Sequence, residues 1–350
     1  MPREADIDAL VRGCVTEAHV APVGVAAWAR VGDGRVFWGG EGAERDFAFD
    51  LASVTKTCVA VTAAGLARSG GLSLDRPAQH YLPGLAGTRG GSAPLRLLLA
   101  HRSGLRAHEQ LYRDSWAGRP VSRHHALRRA AEAHGQHSGA LYSDLGYIIA
   151  GACLEAAAKT PLDLLIEEVL ARPHKLWIGS ARRLRAEGMR LFVPTEIQPA
   201  RGGLLLGVVH DDNAWALSGL GCSGHAGLFG TLEALVRFGL LLTAGARGSG
   251  PFEPLVRDLL AENGQGLGMG LMFASGPDSQ AGQLRGPRVF GHLGFTGTSL
   301  WCDPDRGVAT ALLTNRVYPR RNPRPTVPGI ASARRAVHDQ LWALSDRAAS

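Results

Sequence analysis

The sequence predicts a mixed α/β (α+β) fold, in which one antiparallel sheet flanked by helices is formed by both chain ends and a mainly helical domain is inserted between them. Two observations predict this fold. Strand-like patterns occur near the start of the chain, at residues 23–38, and again only late, at residues 268–315. Residues 95–200 are rich in Ala, Leu, Arg and His, and they predict helices and long loops. We therefore expect the distant strands to pair with each other.

The beginning of the chain predicts, in order, a helix over residues 5–16, strands over 23–30 and 35–38, and an apolar helix over 51–67. The first helix follows from apolar residues at helical spacing. Asp33-Gly34 joins the two strands and is a strong hairpin signal, because both residues tolerate the backbone angles of a tight turn. Ser53 lies near the start of the second helix.

The end of the chain predicts four short apolar strands, over residues 268–274, 288–292, 298–302 and 308–315. The segment Asp303-Pro304-Asp305-Arg306-Gly307 supplies a turn before the fourth strand. A final helix follows, and Ser332 is predicted to cap its N-terminus.

A change of composition marks the predicted domain boundary. Pro, Gly and Arg dominate from Arg76 to Pro94, which is typical of a linker. We predict an α/β domain of residues 1–80 and 205–350 and an inserted helical domain of residues 81–204. Because clefts form between domains, the chemistry is expected where the two meet.

The composition excludes several classes of protein. Apolar residues make up 45% and charged residues 20% of the 350 residues, which excludes intrinsic disorder. No apolar run approaches the ~20 residues that span a bilayer, and the acidic N-terminus lacks an apolar signal region, so we expect no membrane span and a cytoplasmic location. The net charge of +7 is spread along the chain, so no nucleic-acid partner is expected. Five widely spaced cysteines are typical of free thiols in a reducing compartment.

Ser53-Val54-Thr55-Lys56 is a Ser-x-x-Lys segment at the start of a predicted helix. One helical turn places Ser53 and Lys56 on the same face. A serine hydroxyl is a weak nucleophile until a neighbouring group accepts its proton, and a desolvated amine can do so. The spacing alone is equally compatible with a capping serine followed by an exposed lysine. Lys occurs only at positions 56, 159 and 175, which draws attention to each of them.

Further segments, taken with this one, resemble the β-lactamase-related serine hydrolases, which include class C β-lactamases, DD-peptidases and carboxylesterases. The segments that carry the resemblance follow in the family's order and are residues 49–56 (FDLASVTK), 72–77 (LSLDRP), 98–105 (LLAHRSGL), 142–147 (YSDLGY), 224–229 (GHAGLF) and 292–297 (HLGFTG). The resemblance covers residues 45–315 and implies a β-lactamase/transpeptidase-like fold.

The resemblance implies catalytic roles for Ser53, Lys56 and Tyr142. Ser53 would form the acyl-enzyme, Lys56 would ease its deprotonation, and Tyr142 would carry the proton to the leaving group. We expect the neighbouring ammonium to lower the pKa of the Tyr142 phenol. The strand that carries His292 and Gly294 would edge the cleft, and the N–H groups of Phe295 and Ser53 would bind the oxyanion.

Two residues depart from the family pattern. Asp144 stands where the family has Asn, and a carboxylate near Lys56 would keep the ammonium charged, which favours Tyr142 as the proton acceptor. Alternatively, Asp144 only caps the helix that follows it. His292 stands where many members have Lys, and a neutral imidazole attracts a substrate carboxylate less strongly than an ammonium does.

His210-Asp211-Asp212-Asn213 lacks the spacing of metal ligands, and His101 and His225 are isolated, so no metal or other cofactor is expected. Asn213 and His225 are expected to hold a loop in place.

The sequence therefore predicts a serine hydrolase that acts through an acyl-enzyme on a small ester or short amide. One alternative is a DD-peptidase, D-aminopeptidase or β-lactamase-type amide hydrolase. A second is a catalytically silent binding protein on the same scaffold. The natural substrate and the oligomeric state do not follow from the residues.

Overall fold

The computed structural model describes residues 4–135, 139–261, 265–321 and 329–349. The α-helices there are α1 (Glu4–Val11), α2 (Thr55–Arg68), α3 (Ala78–Tyr81), α4 (Arg89–Ser92), α5 (Leu95–Leu99), α6 (Arg113–Trp116), α7 (Arg123–Glu132), α8 (Asp144–Ala158), α9 (Leu162–Ile166), α10 (Ala181–Ala186), α11 (Asp212–Ser218), α12 (Leu232–Ala246), α13 (Glu253–Ala261) and α14 (Ile330–Arg347). The strands are β1 (Gly24–Arg30), β2 (Val36–Glu41), β3 (Phe49–Asp50), β4 (Ile178–Ser180), β5 (Ile197–Gln198), β6 (Gly203–Leu204), β7 (Leu228–Gly230), β8 (Leu267–Gly268), β9 (Leu271–Phe273), β10 (Phe290–Leu293), β11 (Ser299–Asp303) and β12 (Val308–Thr314).

Seven strands form one antiparallel sheet in the order β2-β1-β12-β11-β10-β9-β8. The first strand of the chain pairs with the last along its whole length, from Gly24 opposite Thr314 to Arg30 opposite Val308. The predicted antiparallel sheet built from both chain ends is confirmed. The β1–β2 hairpin is present where Asp33-Gly34 indicated it.

Both faces of this sheet are covered, and alternate residues of β1 show how. Val25 and Ala27 belong to the core that the sheet shares with α2 and α12. Ala26 and Trp28 belong to a second core with α1 and α14. Since successive side chains of a strand point to opposite faces, a strand between two helical layers is apolar throughout.

One predicted strand is wrong in detail. Residues 268–274 were expected to form a single strand, but the chain turns back between β8 and β9. Gly270 has a φ of +67°, and a Cβ atom there would lie 2.6 Å from the Ala60 Cβ and 2.7 Å from the Lys56 carbonyl oxygen. The turn exists because the backbone at Gly270 packs directly on α2.

The predicted cap of the last helix is also wrong. α14 begins at Ile330, and Gly329 is its N-cap, so Ser332 lies within the first turn. The Ser332 hydroxyl instead accepts a hydrogen bond from Arg335. One turn into α14, Arg334 contacts the loop after β10.

Smaller sheets and helices complete the fold. The strands β3, β7 and β4 form a three-stranded sheet, and β5 pairs with β6. The first ten residues of α8 after Asp144 are buried, as is most of α2. No helix within the described ranges combines the length and apolar character needed to cross a bilayer. The boundaries of the inserted domain stay predictions.

Candidate active site

Ser53 lies in a 3₁₀ turn, Ala52–Val54, that leads directly into α2. Ala52 has a φ of +47°, which is rare for a residue other than Gly. The Ala52 N–H donates to Asp50 Oδ1 at 2.8 Å, and the Val54 N–H donates to the Leu51 carbonyl at 3.0 Å. These bonds hold the sharp turn, so the hydroxyl of Ser53 is presented at the entrance of the helix rather than along its side.

Lys56 is fully buried one turn after Ser53. Its ammonium contacts Ser53 Oγ at 2.9 Å, the His225 carbonyl oxygen at 3.1 Å and Asp144 Oδ1 at 2.8 Å. Burial is the largest single influence and lowers the pKa of Lys56, but Asp144 and Tyr142 together outweigh it, so the pKa is raised. Lys56 is therefore a protonated donor whose three N–H bonds all have acceptors.

Tyr142 lies beside Lys56, whose Nζ is 4.9 Å from the centre of the phenol ring. The hydroxyl interacts with the side chains of Lys56 and Ser53. The expected lowering of the Tyr142 pKa is wrong, because burial raises the pKa by more than the ammonium lowers it. At neutral pH the side chain is a phenol, and its ionised form is a minor species.

Asp144 is the first residue of α8 but not its cap. The Ser143 Oγ accepts the Gly146 N–H and takes the capping role, so the interpretation of Asp144 as a cap alone is wrong. One Asp144 oxygen contacts Lys56, and the other lies 3.6 Å from His108 Nδ1. Burial raises the pKa of Asp144, but the Lys56 ammonium and the His108 hydrogen bond together outweigh burial and hold the pKa well below its usual range. The pair is therefore fully charged.

His101 positions the segment that carries Tyr142 and Asp144, a role that the sequence analysis missed. Its Nδ1 accepts the Ser143 N–H at 2.9 Å, and its carbonyl accepts the Leu141 N–H at 2.9 Å. Its ring lies 4.6 Å from the Tyr142 ring, and burial lowers the pKa of His101 to about 3. The signal was present in the sequence, since His101 lies in one of the segments that carried the family resemblance.

His292 faces Tyr142 from β10, with 5.9 Å between the ring centres. Strand β9 pairs with β10 only at Phe290 and Gly291. On that side of β10, His292 and Leu293 therefore have no paired strand. His292 Nδ1 donates to the Leu293 carbonyl at 2.8 Å, while Nε2 is buried without a partner in the described chain. Burial lowers the pKa of His292 to about 3, so the imidazole is neutral and offers a bare acceptor.

The loop after β10 is tied to the chain just before Ser53. The Thr296 hydroxyl donates to the Asp50 carbonyl at 2.7 Å, and the Thr298 hydroxyl donates to the Leu51 carbonyl at 3.1 Å. A Cβ atom at Gly294 would lie 2.7 Å from the Leu51 carbonyl oxygen, so only Gly fits this approach. Phe295 is half exposed beside this contact. The structure thus brings the loop that holds Gly294 and Phe295 against the Ser53 turn.

The side chains of Asn213 and His225 form hydrogen bonds that hold loop segments in place. The Asn213 side chain bonds to backbone groups of Glu109, Leu111 and Tyr112 and pins that loop. The ring of His225 bonds to Asp211, while its carbonyl accepts from Lys56. Within the described ranges no three His, Cys, Asp or Glu side chains cluster as metal ligands would.

Comparisons with known proteins show which family and fold this chain resembles. The family model described as Beta-lactamase matches residues 7–334. A relative from Salmonella gallinarum named "Putative D-alanyl-D-alanine carboxypeptidase" is 28% identical over 325 residues, covering 81% of this chain and 74% of the relative. Among solved structures, EstCE1, "a hydrolase with promiscuous acyltransferase activity", superposes with a TM-score of 0.70 at 19% identity, over 97% of this chain and 99% of that one. A class C β-lactamase from Rhodobacter sphaeroides gives the same TM-score and coverage at 16% identity.

Proposed function

Because the chain belongs to the Beta-lactamase family, whose members are serine hydrolases, we propose that Ser53 is the nucleophile of an acyl-enzyme reaction on a small ester or short amide. One observation carries the proposal. The buried Lys56 ammonium lies 2.9 Å from Ser53 Oγ and 2.8 Å from the Asp144 carboxylate, so a charge is held against a hydroxyl in a partly exposed turn. A buried cation placed on a serine oxygen favours the alkoxide that attacks a carbonyl.

Acylation uses Lys56 and Tyr142 in different roles. Lys56 already donates to Ser53 Oγ, so it stabilises negative charge on that oxygen and does not act as the base. The ionised form of Tyr142 accepts the Ser53 proton as Oγ bonds to the substrate carbonyl carbon. The resulting phenol then protonates the leaving group as the tetrahedral intermediate breaks down.

Deacylation repeats the same steps with water. Tyr142 takes a proton from the attacking water, and the carboxylic acid product leaves as Ser53 recovers its proton from the phenol. In both steps the carbonyl oxygen becomes negative, and the N–H groups of Ser53 and Phe295 are proposed to stabilise it.

The charges around the cleft support a substrate without a carboxylate at the His292 position. Burial keeps His292 neutral with a pKa of about 3, so it cannot form an ion pair with an anionic substrate there. Asp144 is an acceptor and cannot donate to a substrate carbonyl. Both features favour esterase-like activity over efficient β-lactam hydrolysis.

Hydrolysis at a D-residue is a second candidate, and the curated relative supports it through its name, "Putative D-alanyl-D-alanine carboxypeptidase". The same Ser53 chemistry would apply, with an amine as the leaving group. A C-terminal D-alanine carries a carboxylate, so this candidate requires a cation elsewhere in the cleft to hold it, because His292 is neutral.

Intact mass after incubation with a fluorophosphonate probe tests the proposal. We expect one adduct, mapped to Ser53 and absent from Ser53→Ala, and Ser53→Ala should lose about 10⁴-fold or more of the ester hydrolysis. The matched control is Ser69→Ala, because Ser69 follows α2 and its hydroxyl donates to the Leu66 carbonyl. A panel of p-nitrophenyl esters and D-amino-acid anilides then separates the two candidates. A folded protein that takes no adduct would be a binding protein.

A further inference from the structure

Two arginines donate hydrogen bonds to consecutive carbonyl groups of the loop after β10. Arg334 Nη2 donates to the Gly294 carbonyl at 2.6 Å and to the Thr298 carbonyl at 2.7 Å. Arg316 Nε donates to the Phe295 carbonyl at 2.7 Å, and its guanidinium lies 4.6 Å from the Phe295 ring. Both peptide units that flank Phe295 are therefore held by guanidinium groups.

Arg334 is a buried cation without a countercharge among the described residues. It is 5% exposed, and the charge that acts on it is the like charge of Arg316, not a carboxylate. Its other contact is neutral, since Nη1 donates to Gln280 Oε1 at 2.8 Å. Burial and the nearby Arg316 lower the pKa of Arg334 to about 9, which still leaves it protonated at neutral pH. Burying an unpaired charge is costly, and a neutral amide could donate to the same carbonyls, so the charge itself requires an explanation.

The peptide bond between Gly294 and Phe295 connects this charge to the cleft. It is trans, so its C=O and its N–H point in opposite directions. The C=O points to Arg334 and also accepts the Gly297 N–H at 3.1 Å. The Phe295 N–H takes no acceptor from the part of the chain that the structure describes. Polarising one end of a peptide unit strengthens the other end as a hydrogen-bond partner.

We propose that Arg334 is a positioning residue for oxyanion binding: it fixes the orientation of the Gly294–Phe295 peptide and, through its charge, makes the Phe295 N–H a stronger donor. The role rests on the proposed acyl-enzyme function, because it concerns the charge that develops on the substrate carbonyl oxygen. Arg334 does not touch the substrate. It acts from behind the peptide, so its effect appears in the transition state rather than in ground-state binding.

The test compares three substitutions of Arg334 with a control. Arg334→Met removes the charge and the donors, Arg334→Gln removes the charge but keeps a donor, and Arg334→Lys keeps both. The control is Arg30→Met, because Arg30 is a half-buried arginine that likewise donates to two carbonyls, those of Arg306 and Ser345, at the far end of α14. The measurements are kcat and KM for p-nitrophenyl acetate, with unfolding curves for every variant.

We expect Arg334→Met and Arg334→Gln to lower kcat by about 10- to 100-fold, somewhat less than the loss of a whole oxyanion donor, with KM changed by less than about 3-fold. Arg334→Lys should recover most of the kcat. Arg30→Met should stay within about 2-fold of the wild type. If Arg334→Met does not fold, the contrast between Gln and Lys carries the test.

The proposal is overturned if Arg334→Lys and Arg334→Gln have equal kcat, if KM alone rises, or if Arg30→Met loses as much kcat as the Arg334 variants. Each of these results indicates a role in loop stability only. These outcomes differ from failure of the proposed function, in which the wild type itself neither takes the fluorophosphonate nor hydrolyses an ester.

Discussion

Two buried ionic clusters in this protein both pair cationic side chains with carboxylates, but the two clusters have different roles. In the first, Lys56 pairs with Asp144 beside Ser53. The second contains two arginines and two carboxylates, namely Arg201, Arg321, Glu196 and Asp212. Arg321 bridges Glu196 at 2.6 Å and Asp212 at 2.7 Å, and Arg201 is completely buried against Asp212.

The two clusters differ in whether they leave a group that can take part in a reaction. The second cluster, here the arginine cluster, uses planar guanidinium groups that donate to carboxylates and to the His210 and Val209 carbonyls, while Arg201 Nε is buried without a partner in the described chain. Burial raises the pKa of Glu196, but hydrogen bonds from His210 and Arg321 together lower it, so the carboxylate stays ionised. The Lys56 cluster instead directs one compact charge at a hydroxyl, next to a phenol. A cluster that holds no nucleophile stabilises the fold, whereas a cluster that ends on the Ser53 hydroxyl can move a proton.

Among the substitutions that distinguish the roles of the two clusters, the removal of Lys56 should have the largest effect. Lys56→Met leaves Asp144 as an unpaired charge and takes the donor from Ser53 Oγ, so we expect kcat/KM for p-nitrophenyl acetate to fall about 10³-fold. The rate of fluorophosphonate labelling should fall in parallel. Lys159→Met, at an exposed lysine after α8, is the control and should be unchanged. Labelling at the wild-type rate in Lys56→Met would show that Ser53 is activated by something else.

Replacing Asp144 should move the pH dependence. Asp144 raises the pKa of Lys56 and burial lowers it, so in Asp144→Asn the pKa of Lys56 falls and its neutral form can accept the Ser53 proton. In the wild type, kcat/KM should rise with pH through the alkaline range, because the raised pKa of Tyr142 makes its ionised form scarce at neutral pH. In Asp144→Asn this rise should move down by about one pH unit or more.

The measurement for Asp144 is kcat/KM between about pH 6 and 11, which brackets the ordinary pKa values of His and Lys. Asp163→Asn is the matched control, because Asp163 is a buried aspartate that bonds to Ser180 and Arg182 away from Ser53. Its profile should match the wild type. Superimposable profiles for Asp144→Asn and the wild type would contradict the assignment of Asp144 as the group that keeps Lys56 charged.

Breaking the arginine cluster should affect stability and leave activity nearly intact. Arg321→Met leaves Glu196 and Asp212 with less compensation, and since Arg321 is partly exposed we expect the free energy of unfolding to fall by about 2 kcal/mol. Urea denaturation measures this loss, and kcat/KM should remain within about 2-fold of the wild type. Arg257→Met, at an exposed pair on α13, should cost less than about 0.5 kcal/mol. A fall in kcat/KM well beyond about 2-fold would contradict this expectation, because it would mean that the arginine cluster contributes to the reaction at Ser53.

Local patterns in the sequence were sufficient for a large part of the fold. The apolar strands at the two chain ends and the Asp33-Gly34 turn predicted the sheet, because strand period and turn chemistry depend on neighbouring residues. The break at Gly270 escaped prediction, since it depends on the distance between that backbone and α2. The start of α14 at Ile330 escaped as well, because the Ser332 capping signal places the helix start three residues later than the observed start, which Gly329 caps.

The same division holds at the candidate site. Ser53 and Lys56 are one helical turn apart, so the sequence alone determined that the hydroxyl and the amine are neighbours. Which way the pKa of Tyr142 moves was decided by tertiary structure, because the sequence shows the nearby charge but not the burial that outweighs it. The unpaired charge of Arg334 behind Gly294 is likewise a product of packing, since 40 residues separate the two in the chain. Charge and desolvation act through space, and only the folded chain sets those distances.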